Sequence, residues 1–382
     1  MPEIFLDNNA TTHPRPEVIA TVVDSMSGSF GNPSSAHSGG DRARTILSRS
    51  REAFGRLIGA APESIVFTSG ATESNNWVLR QCCRSLRSGL VTSTIEHSSI
   101  KACSEELEAR HIPVQRVPTD KSGRLDPDRV ADVITPETAL VSIHWVNNET
   151  GVIQPVAEIA SLCRERRVLF HTDASQAAGK LPIDVGRLNC DFMSISAHKF
   201  HGPQGVGGLY IRPGVQLSSL MLGGMQESGN RGGTENVPGI AGAGTAAMLR
   251  LERLDAAIGE MSRLRDLLES LVLQQIPNVS INGNQQFRVC NTTNLQIHAI
   301  DGQALIARLS ASGIQCSQSS ACMNHRPEPS YVLREMGLSE SQAYASLRLS
   351  TSEFTTDDEI HAAVTILSEQ VAQLRKFAIM TA

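Results

Sequence analysis

Aromatic residues, charged residues and runs of one charge sign are all scarce in this 382-residue chain. Aromatic residues make up 4% of it and charged residues 19%, against 40% hydrophobic residues. The formal net charge is −5, and no segment gathers the basic side chains that contact a nucleic-acid backbone. At roughly 100–200 residues per domain, the length fits two to three globular domains. The composition argues against direct nucleic-acid binding and against a small scaffold.

Long hydrophobic runs and paired cysteines are missing too. No window contains the roughly 20 apolar residues of a membrane span, and the N-terminal segment lacks the basic and apolar regions of an export signal. We therefore expect a cytoplasmic protein without membrane contact. The eight cysteines form no paired C-x-x-C elements, so we expect no metal site and no disulfide framework. Most of them are expected to be small buried hydrophobic residues.

The chain does contain short β-branched runs that alternate with helical segments. Ile100, Cys103 and Leu107, for example, follow the spacing of a helix laid on a sheet. Alternating strands and helices predict an α/β fold with a mostly parallel sheet between helices. The predicted strands span residues 64–67, 90–92, 139–143, 168–170 and 192–195.

The pattern changes after about residue 245, where a smaller α+β domain is predicted. One helical face is apolar for about five turns, which predicts a long helix leading out of the first domain. Strands are expected at 292–297 and 346–350, and Thr356 with Glu359 predicts a capping box that opens the last helix. We expect a large domain of residues 14–255 and a small domain of residues 1–13 and 256–382. The apolar positions of the long helix are Leu251, Leu254, Ile258, Met261, Leu264 and Leu268.

Three segments have side chains that suggest chemistry. In residues 67–75 a strand breaks at Gly70 into a helix start rich in hydroxyls, which favours a phosphate site, although such residues also cap helices. Asp173 follows an apolar strand, where it can meet a ligand or cap the next helix. Lys199 lies between a strand with small hydroxyls and a glycine-rich turn, which suits a Schiff-base lysine as well as a surface lysine. Together, an anion cup, an acid and a lysine are the parts that a pyridoxal phosphate site requires.

With these residues and several longer motifs, the chain resembles a known family, the class V aminotransferase-like, fold-type I pyridoxal phosphate enzymes. Within it, the chain is similar to the NifS/IscS-type cysteine desulfurases. The similar motifs run almost from end to end. They are Leu6-Asp7-Asn8-Asn9-Ala10-Thr11-Thr12, Phe30-Gly31-Asn32-Pro33-Ser34-Ser35, Thr94-Ile95-Glu96-His97, Val146-Asn147-Asn148-Glu149-Thr150-Gly151, Arg231-Gly232-Gly233-Thr234-Glu235-Asn236 and Arg348-Leu349-Ser350.

The resemblance implies a role for each matching residue and a pyridoxal 5'-phosphate cofactor. Lys199 would form the Schiff base, His97 would stack on the ring and relay protons, and Asp173 would face the pyridine nitrogen. Thr234 would reach the phosphate of the neighbouring subunit, which implies a homodimer. The other implied ligands are Ala71 and Thr72 for the phosphate, with help from Ser196 and His198, and Asn148 and Gln176 for the phenolic oxygen; Asn148 and Arg348 would bind the substrate.

Cys322 decides which reaction the resemblance implies. It lies among small and polar residues with no apolar periodicity, which is typical of an accessible loop, and without the resemblance it could be inert. The loop is similar to the segment that holds the persulfide cysteine in the IscS-type group. The implied function is a cysteine desulfurase that converts L-cysteine to L-alanine through a persulfide on Cys322 and passes the sulfur to an acceptor protein. We also expect this loop to be mobile.

Two departures from the family pattern bear on different features: Met225 on the substrate mouth or the dimer seam, and the loop after Cys322 on the acceptor protein. Met225 follows Gly223-Gly224 where relatives usually have a third glycine, and 323–327 replaces a small Thr/Ser-rich run. Relatives serve iron–sulfur cluster assembly, tRNA thiolation and phosphorothioation of DNA. The alternatives are a selenocysteine or cysteine lyase, which would not need Cys322, an aminotransferase, which would need a keto-acid acceptor, and a non-catalytic sulfur-relay scaffold.

Overall fold

The computed structural model describes residues 3–82, 87–318 and 328–380. The strands are β1 (Ile4–Phe5), β2 (Ile65–Thr68), β3 (Gly89–Ser93), β4 (Val114–Val117), β5 (Thr138–Ser142), β6 (Leu169–Asp173), β7 (Phe192–Ser196), β8 (Gly207–Ile211), β9 (Val279–Ile281), β10 (Thr292–Ile297), β11 (Ile314–Gln315) and β12 (Ser346–Ser350). The helices are α1 (Pro16–Ser27), α2 (Ser38–Ile58), α3 (Ala71–Cys82), α4 (Ser98–Ala109), α5 (Pro127–Val133), α6 (Val156–Glu165), α7 (Val185–Leu188), α8 (Val237–Glu252), α9 (Leu254–Gln275), α10 (Gly302–Ala311), α11 (Tyr331–Glu335), α12 (Glu340–Tyr344) and α13 (Asp357–Met380).

A seven-stranded sheet with the order β2-β8-β7-β6-β5-β3-β4 forms the centre of the larger part. β8 is antiparallel to both of its neighbours, and the other neighbouring pairs are parallel. The predicted α/β class with a mostly parallel mixed sheet is confirmed.

Helices cover both faces of this sheet because its strands are apolar on both sides. Val66 and Leu90 pack with α3 and α4 in one apolar cluster, whereas their neighbours Phe67 and Val91 pack in a second, larger cluster with α2, α6 and α8. This alternation follows from the two-residue period of a strand. Buried strands with helices on both sides form a rigid support for loops at the sheet edge.

The predicted ligands converge because their strands end at the same edge of the sheet. β2 and β7 are each antiparallel to β8, so they run in the same direction, and β7, β6, β5 and β3 are parallel. The loops after these strands therefore meet at one edge, where ligands bind in open α/β sheets.

A second unit contains a three-stranded antiparallel sheet, β12-β10-β9, and the short pair β1-β11. Both pack with α9, α10 and α13 around an apolar cluster that includes Leu264, Leu268 and Val364. The domain bounds 14–255 and 256–382 with 1–13 stay a prediction.

Two helix predictions have different outcomes. The capping box is confirmed, because Thr356 N donates to Glu359 Oε2 at 2.8 Å and Glu359 N donates to Thr356 Oγ1 at 3.2 Å. The long helix is confirmed as α9, which begins at Leu254, but its predicted first position, Leu251, belongs to α8, which ends at Glu252. Its apolar spacing continued across the turn at Arg253, so periodicity alone could not reveal the break. In the ranges that the structure describes, no helix is both long and apolar enough to span a bilayer.

Candidate active site

The phosphate cup predicted at 67–75 forms where β2 turns into α3. Gly70 has φ +149°, and Ala71 N, at the helix start, donates to Ser196 Oγ at 2.9 Å. A Cβ on Gly207 would lie 2.6 Å from Gly70 Cα, so the turn packs directly on β8. Thr72, in the first turn, is exposed. The predicted phosphate ligands Ala71, Thr72 and Ser196 therefore surround a helix N-terminus, which favours an anion.

Asp173, at the end of β6, is a buried carboxylate held by neutral donors. Asn75 Nδ2 donates to its Oδ2 at 2.7 Å, and Ser175 N donates to its Oδ1 at 2.9 Å. Burial acts to raise the pKa of Asp173, but the nearby His97 imidazole and these two hydrogen bonds outweigh it, so the pKa lies below its ordinary value. Asp173 is therefore an anion at neutral pH.

Lys199 follows β7 and points its amine at the N-terminal segment. Its Nζ donates to the backbone carbonyl oxygens of Asn9 at 2.6 Å and Ala10 at 2.8 Å. The carbonyl oxygen of Asn9 also accepts from Gln176 Nε2 at 2.9 Å. Two of the predicted cofactor ligands, Lys199 and Gln176, thus share one acceptor.

Two histidines near the lysine are neutral. His97 is the N-cap of α4, where its Nδ1 accepts from Ser99 N at 3.2 Å. Burial lowers the pKa of His97, and the Asp173 carboxylate only partly offsets this. Burial, together with the nearby charge of Lys199, lowers the pKa of His198 to about 4. Both rings can therefore accept a proton or a hydrogen bond near pH 7.

Arg348, on β12, reaches the site from the second unit. Its Nη2 donates to Asp7 Oδ1 at 2.6 Å, and its Nη1 donates to the carbonyl oxygen of Asn148 at 3.1 Å. Its Nε is buried and has no hydrogen-bond partner among the described residues. Arg348 and Asn148, the two predicted substrate ligands, are thus brought together, and the guanidinium has N–H donors, Nε–H among them, left for a carboxylate.

Two predicted residues, Thr234 and Cys322, are not among the contacts described so far. Thr234 is exposed on the loop before α8, and its neighbours Arg231 and Gly233 line a cavity of about 60 Å³ together with Thr68 and Ser69 of the cup. Cys322, with the loop expected to be mobile, lies outside the described residues.

The sequence reasoning missed several polar residues that organise the site. Asn75 is one turn beyond the start of α3, and helical spacing from Ala71 could have placed it beside Asp173. Asn9 was part of a quoted motif but received no role, although its backbone and side chain contact four other residues of the site. Lys180 gave no sequence signal apart from being a lone lysine in an apolar stretch.

The arrangement fits pyridoxal phosphate on the evidence of its polar atoms. Asp173 is an anion, yet it is in none of the ion pairs found between described residues. Asn75 Oδ1 and Ser175 Oγ beside it are buried without a hydrogen-bond partner in the described part of the chain. A buried anion is costly unless something cationic meets it, and a protonated pyridine nitrogen supplies that cation.

Comparison with known proteins gives the same assignment. Residues 4–362 match the family Aminotransferase class-V. Cysteine desulfurase 1 of Trichormus variabilis is 40% identical over 377 residues, which are 98% of this chain and 94% of that protein.

Solved structures of similar proteins support the same family. A NifS-like protein has a TM-score of 0.91 at 34% identity, over 97% of this chain and 100% of the other. SspA in complex with cysteine has a TM-score of 0.82 at 32% identity, over 92% and 99% of the two chains. The chain therefore belongs to the class-V aminotransferase family and, within it, to the NifS/IscS-type cysteine desulfurases, which depend on pyridoxal phosphate.

Proposed function

We propose that this enzyme removes sulfur from L-cysteine, holds it as a persulfide on Cys322 and passes it to an acceptor protein. The observation that carries the proposal is the buried, ionised Asp173, which lies at the same sheet edge as Lys199 and within electrostatic reach of His97. Asp173 forms no ion pair among the described residues, the amine of Lys199 contacts backbone carbonyls, and His97 is neutral; together these three residues fit chemistry at the substrate Cα.

The cofactor would be held by side chains with separate tasks. Ala71, Thr72 and Ser196 would bind the phosphate at the start of α3, with His198 close by. Asp173 would hold a proton at the ring nitrogen, and Gln176 and Asn148 would contact the phenolic oxygen. When bound, pyridoxal phosphate supplies a ring that withdraws electrons from the substrate Cα.

The chain's own groups would then bind the substrate and move its protons. Arg348 would hold the α-carboxylate, and Lys199 Nζ would take the proton from Cα, because it is the amine in the site that can carry both cofactor and proton. Neutral His97 can relay that proton. None of these three residues is assigned to the sulfur atom of the substrate, so a separate nucleophile has to attack it.

Cys322 would be that nucleophile. Its thiolate would attack the substrate sulfur, so that an S–S bond forms while the C–S bond breaks and Cβ takes a proton, which yields alanine and an enzyme persulfide. Both described flanks of the segment contact the substrate side of the site: Ser317 Oγ donates to Asp7 at 2.9 Å, and Ser330 Oγ donates to Glu149. The described ends of the segment that contains Cys322 are therefore anchored beside Arg348 and Asn148.

The experiment that tests the function is a product assay with L-cysteine and no keto acid. Equal amounts of alanine and protein-bound sulfur are expected in the first turnover, and a reductant should then release the sulfur. Alanine formed with free sulfide and no bound sulfur would favour the lyase. A requirement for a keto acid would favour an aminotransferase, and no product with a cofactor-loaded enzyme would favour a scaffold.

We further propose that the enzyme is a homodimer in which Thr234 completes the phosphate site of the partner subunit. Thr234 is exposed, and the nearby loop displays large apolar side chains, with Leu222 89% and Met225 82% exposed. Exposed apolar patches of this kind are typical of protein interfaces. Light scattering should give twice the 41.1 kDa chain mass.

A mixing experiment tests the role of Thr234 itself. Lys199→Ala and Thr234→Ala chains, exchanged into heterodimers, should recover activity, because one site then has an intact Lys199 and receives an intact Thr234. No recovery in verified heterodimers would contradict the shared site.

A further inference from the structure

Lys180 is a buried lysine to which the proposed mechanism gives no task. It follows β6, in the turn after Gln176, and is 3% exposed. Its Nζ donates to Gln176 Oε1 at 2.7 Å and to Asn9 Oδ1 at 3.1 Å. No hydrogen bond or ion pair in the described ranges joins it to a carboxylate. Burying a lysine against two neutral amides costs free energy, so packing alone does not explain this residue.

The surroundings of Lys180 favour its uncharged amine. Burial lowers the pKa of Lys180 to about 7, and the cations Lys199, Arg250 and Arg348 act in the same direction, while Cys290 acts against it. A neutral amine has two N–H donors, and the structure offers it two acceptors. Both acceptors belong to residues beside Lys199, so the amine of Lys180 is bound to residues of the candidate active site.

The contact with Gln176 determines which end of that amide faces Lys199. With Oε1 turned to Lys180, Gln176 Nε2 donates to the carbonyl oxygen of Asn9, the same atom that Lys199 Nζ contacts at 2.6 Å. If the amide were flipped, its NH2 group would face the amine of Lys180, so that two donors met. Its oxygen would face the carbonyl oxygen of Asn9, so that two acceptors met. Both mismatches are unfavourable in a buried site.

We propose that Lys180 is a positioning residue that orients Gln176, so that an amide N–H faces Lys199 and the oxygen of the cofactor bound there. This inference rests on the proposed function, because it needs a cofactor on Lys199. It adds a residue that touches neither cofactor nor substrate and acts through Gln176 and Asn9.

The orientation has a spectroscopic consequence. A donor beside the cofactor's oxygen stabilises the anion that remains when the Lys199 nitrogen loses its proton, which lowers the pKa of that nitrogen. If Lys180 no longer holds Gln176, that donor is lost for part of the time. The pKa read from the cofactor's absorbance should then rise.

The test is a pH titration of the cofactor absorbance in the holoenzyme. Lys180→Met, which keeps the unbranched apolar stem of the side chain and removes the amine, should raise the pKa of the chromophore by roughly one unit, or about tenfold in proton affinity. Gln176→Leu should cause a rise at least as large, and Lys180→Met added to it should cause no further rise. The exposed Lys121→Met is the matched control and should leave the titration unchanged.

Lys180→Gln keeps the inference testable if Lys180→Met does not fold. Its polar group ends one bond short of the Nζ position, so the pKa should rise in the same direction by less. An unchanged chromophore pKa in any folded, cofactor-loaded Lys180 variant overturns the proposal, as does a rise that adds fully to that of Gln176→Leu. Failure of the proposed function would look different, because the wild-type enzyme would then form no alanine from cysteine.

Discussion

Asp7 and Arg348 form an ion pair that joins the N-terminal segment to β12, with Asp7 Oδ1 2.6 Å from Arg348 Nη2. The arginine is 3% exposed on its side chain, so the contact is largely shielded from water. The pair fixes the guanidinium while Nε remains without a partner in the described structure. A substrate carboxylate would therefore meet a donor that is already oriented.

Arg348→Lys tests this clamp. A lysine keeps the charge but loses the fixed fork, so we expect the KM for L-cysteine to rise about 10- to 100-fold, which corresponds to the loss of one or two charge-assisted hydrogen bonds. Steady-state kinetics of alanine release would measure it. Arg212→Lys, which changes an arginine paired with Asp191 away from the site, is the control, and an unchanged KM in Arg348→Lys would refute the assignment.

Lys199→Ala tests the covalent link to the cofactor. The variant should fold and dimerise like the wild type, yet lose both the cofactor absorbance band and activity, because no other residue is proposed to bind the cofactor covalently. Borohydride treatment of the wild type should add the cofactor's mass to the peptide containing Lys199. Mass added to another peptide would show that the lysine is misassigned.

Asp173→Asn tests the buried charge. Asparagine keeps the size of the side chain but cannot hold a proton at the ring nitrogen as an anion does, so the turnover rate should fall by about two to three orders of magnitude. Single-turnover alanine release would measure the fall, with cofactor content checked by absorbance. Asp191→Asn removes another buried carboxylate, paired with Arg212, and should lower stability with little effect on the rate. Near-normal rates in Asp173→Asn would exclude the proposed role.

Lys180 should make stability depend on pH. Its folded pKa of about 7 lies below the unfolded value, so between about pH 7 and 10 the unfolded chain binds one more proton and the free energy of unfolding rises with pH. The contribution is at most about 1.4 kcal/mol per pH unit. Urea unfolding of the wild type and Lys180→Met at several pH values should differ by this slope. Parallel pH profiles would mean that Lys180 is charged in the folded protein.

The sequence predicted the central fold because the strands are apolar on both faces and the helices are periodic. The predicted strand at 292–297 coincides with β10, and 192–195 lies within β7. β8 was not predicted, since Gly207 and Gly208 have no side chains that mark a strand. The break at Arg253 was missed because a short turn preserved the helical spacing.

For the site, the sequence singled out the residues that we propose to meet a ligand, but not the residues that support them. Asp173 and Lys199 stand out because charged residues at strand ends are unusual. Asn9 does not, since its contacts with Gln176, Lys180 and Lys199 span 167 to 190 positions of the chain. Such contacts arise from tertiary packing, which a local pattern cannot show.

Mass spectrometry of the peptides after one turnover with L-cysteine tests whether Cys322 takes the sulfur. We expect one additional sulfur atom on the Cys322 peptide of the wild type, and none on any peptide of Cys322→Ser, which should still bind cofactor and substrate. Cys316→Ser is the matched control, because burial raises the pKa of Cys316 to about 12 and so makes it a poor nucleophile. Alanine and free sulfide produced by Cys322→Ser at the wild-type rate would contradict the account and identify the enzyme as a lyase.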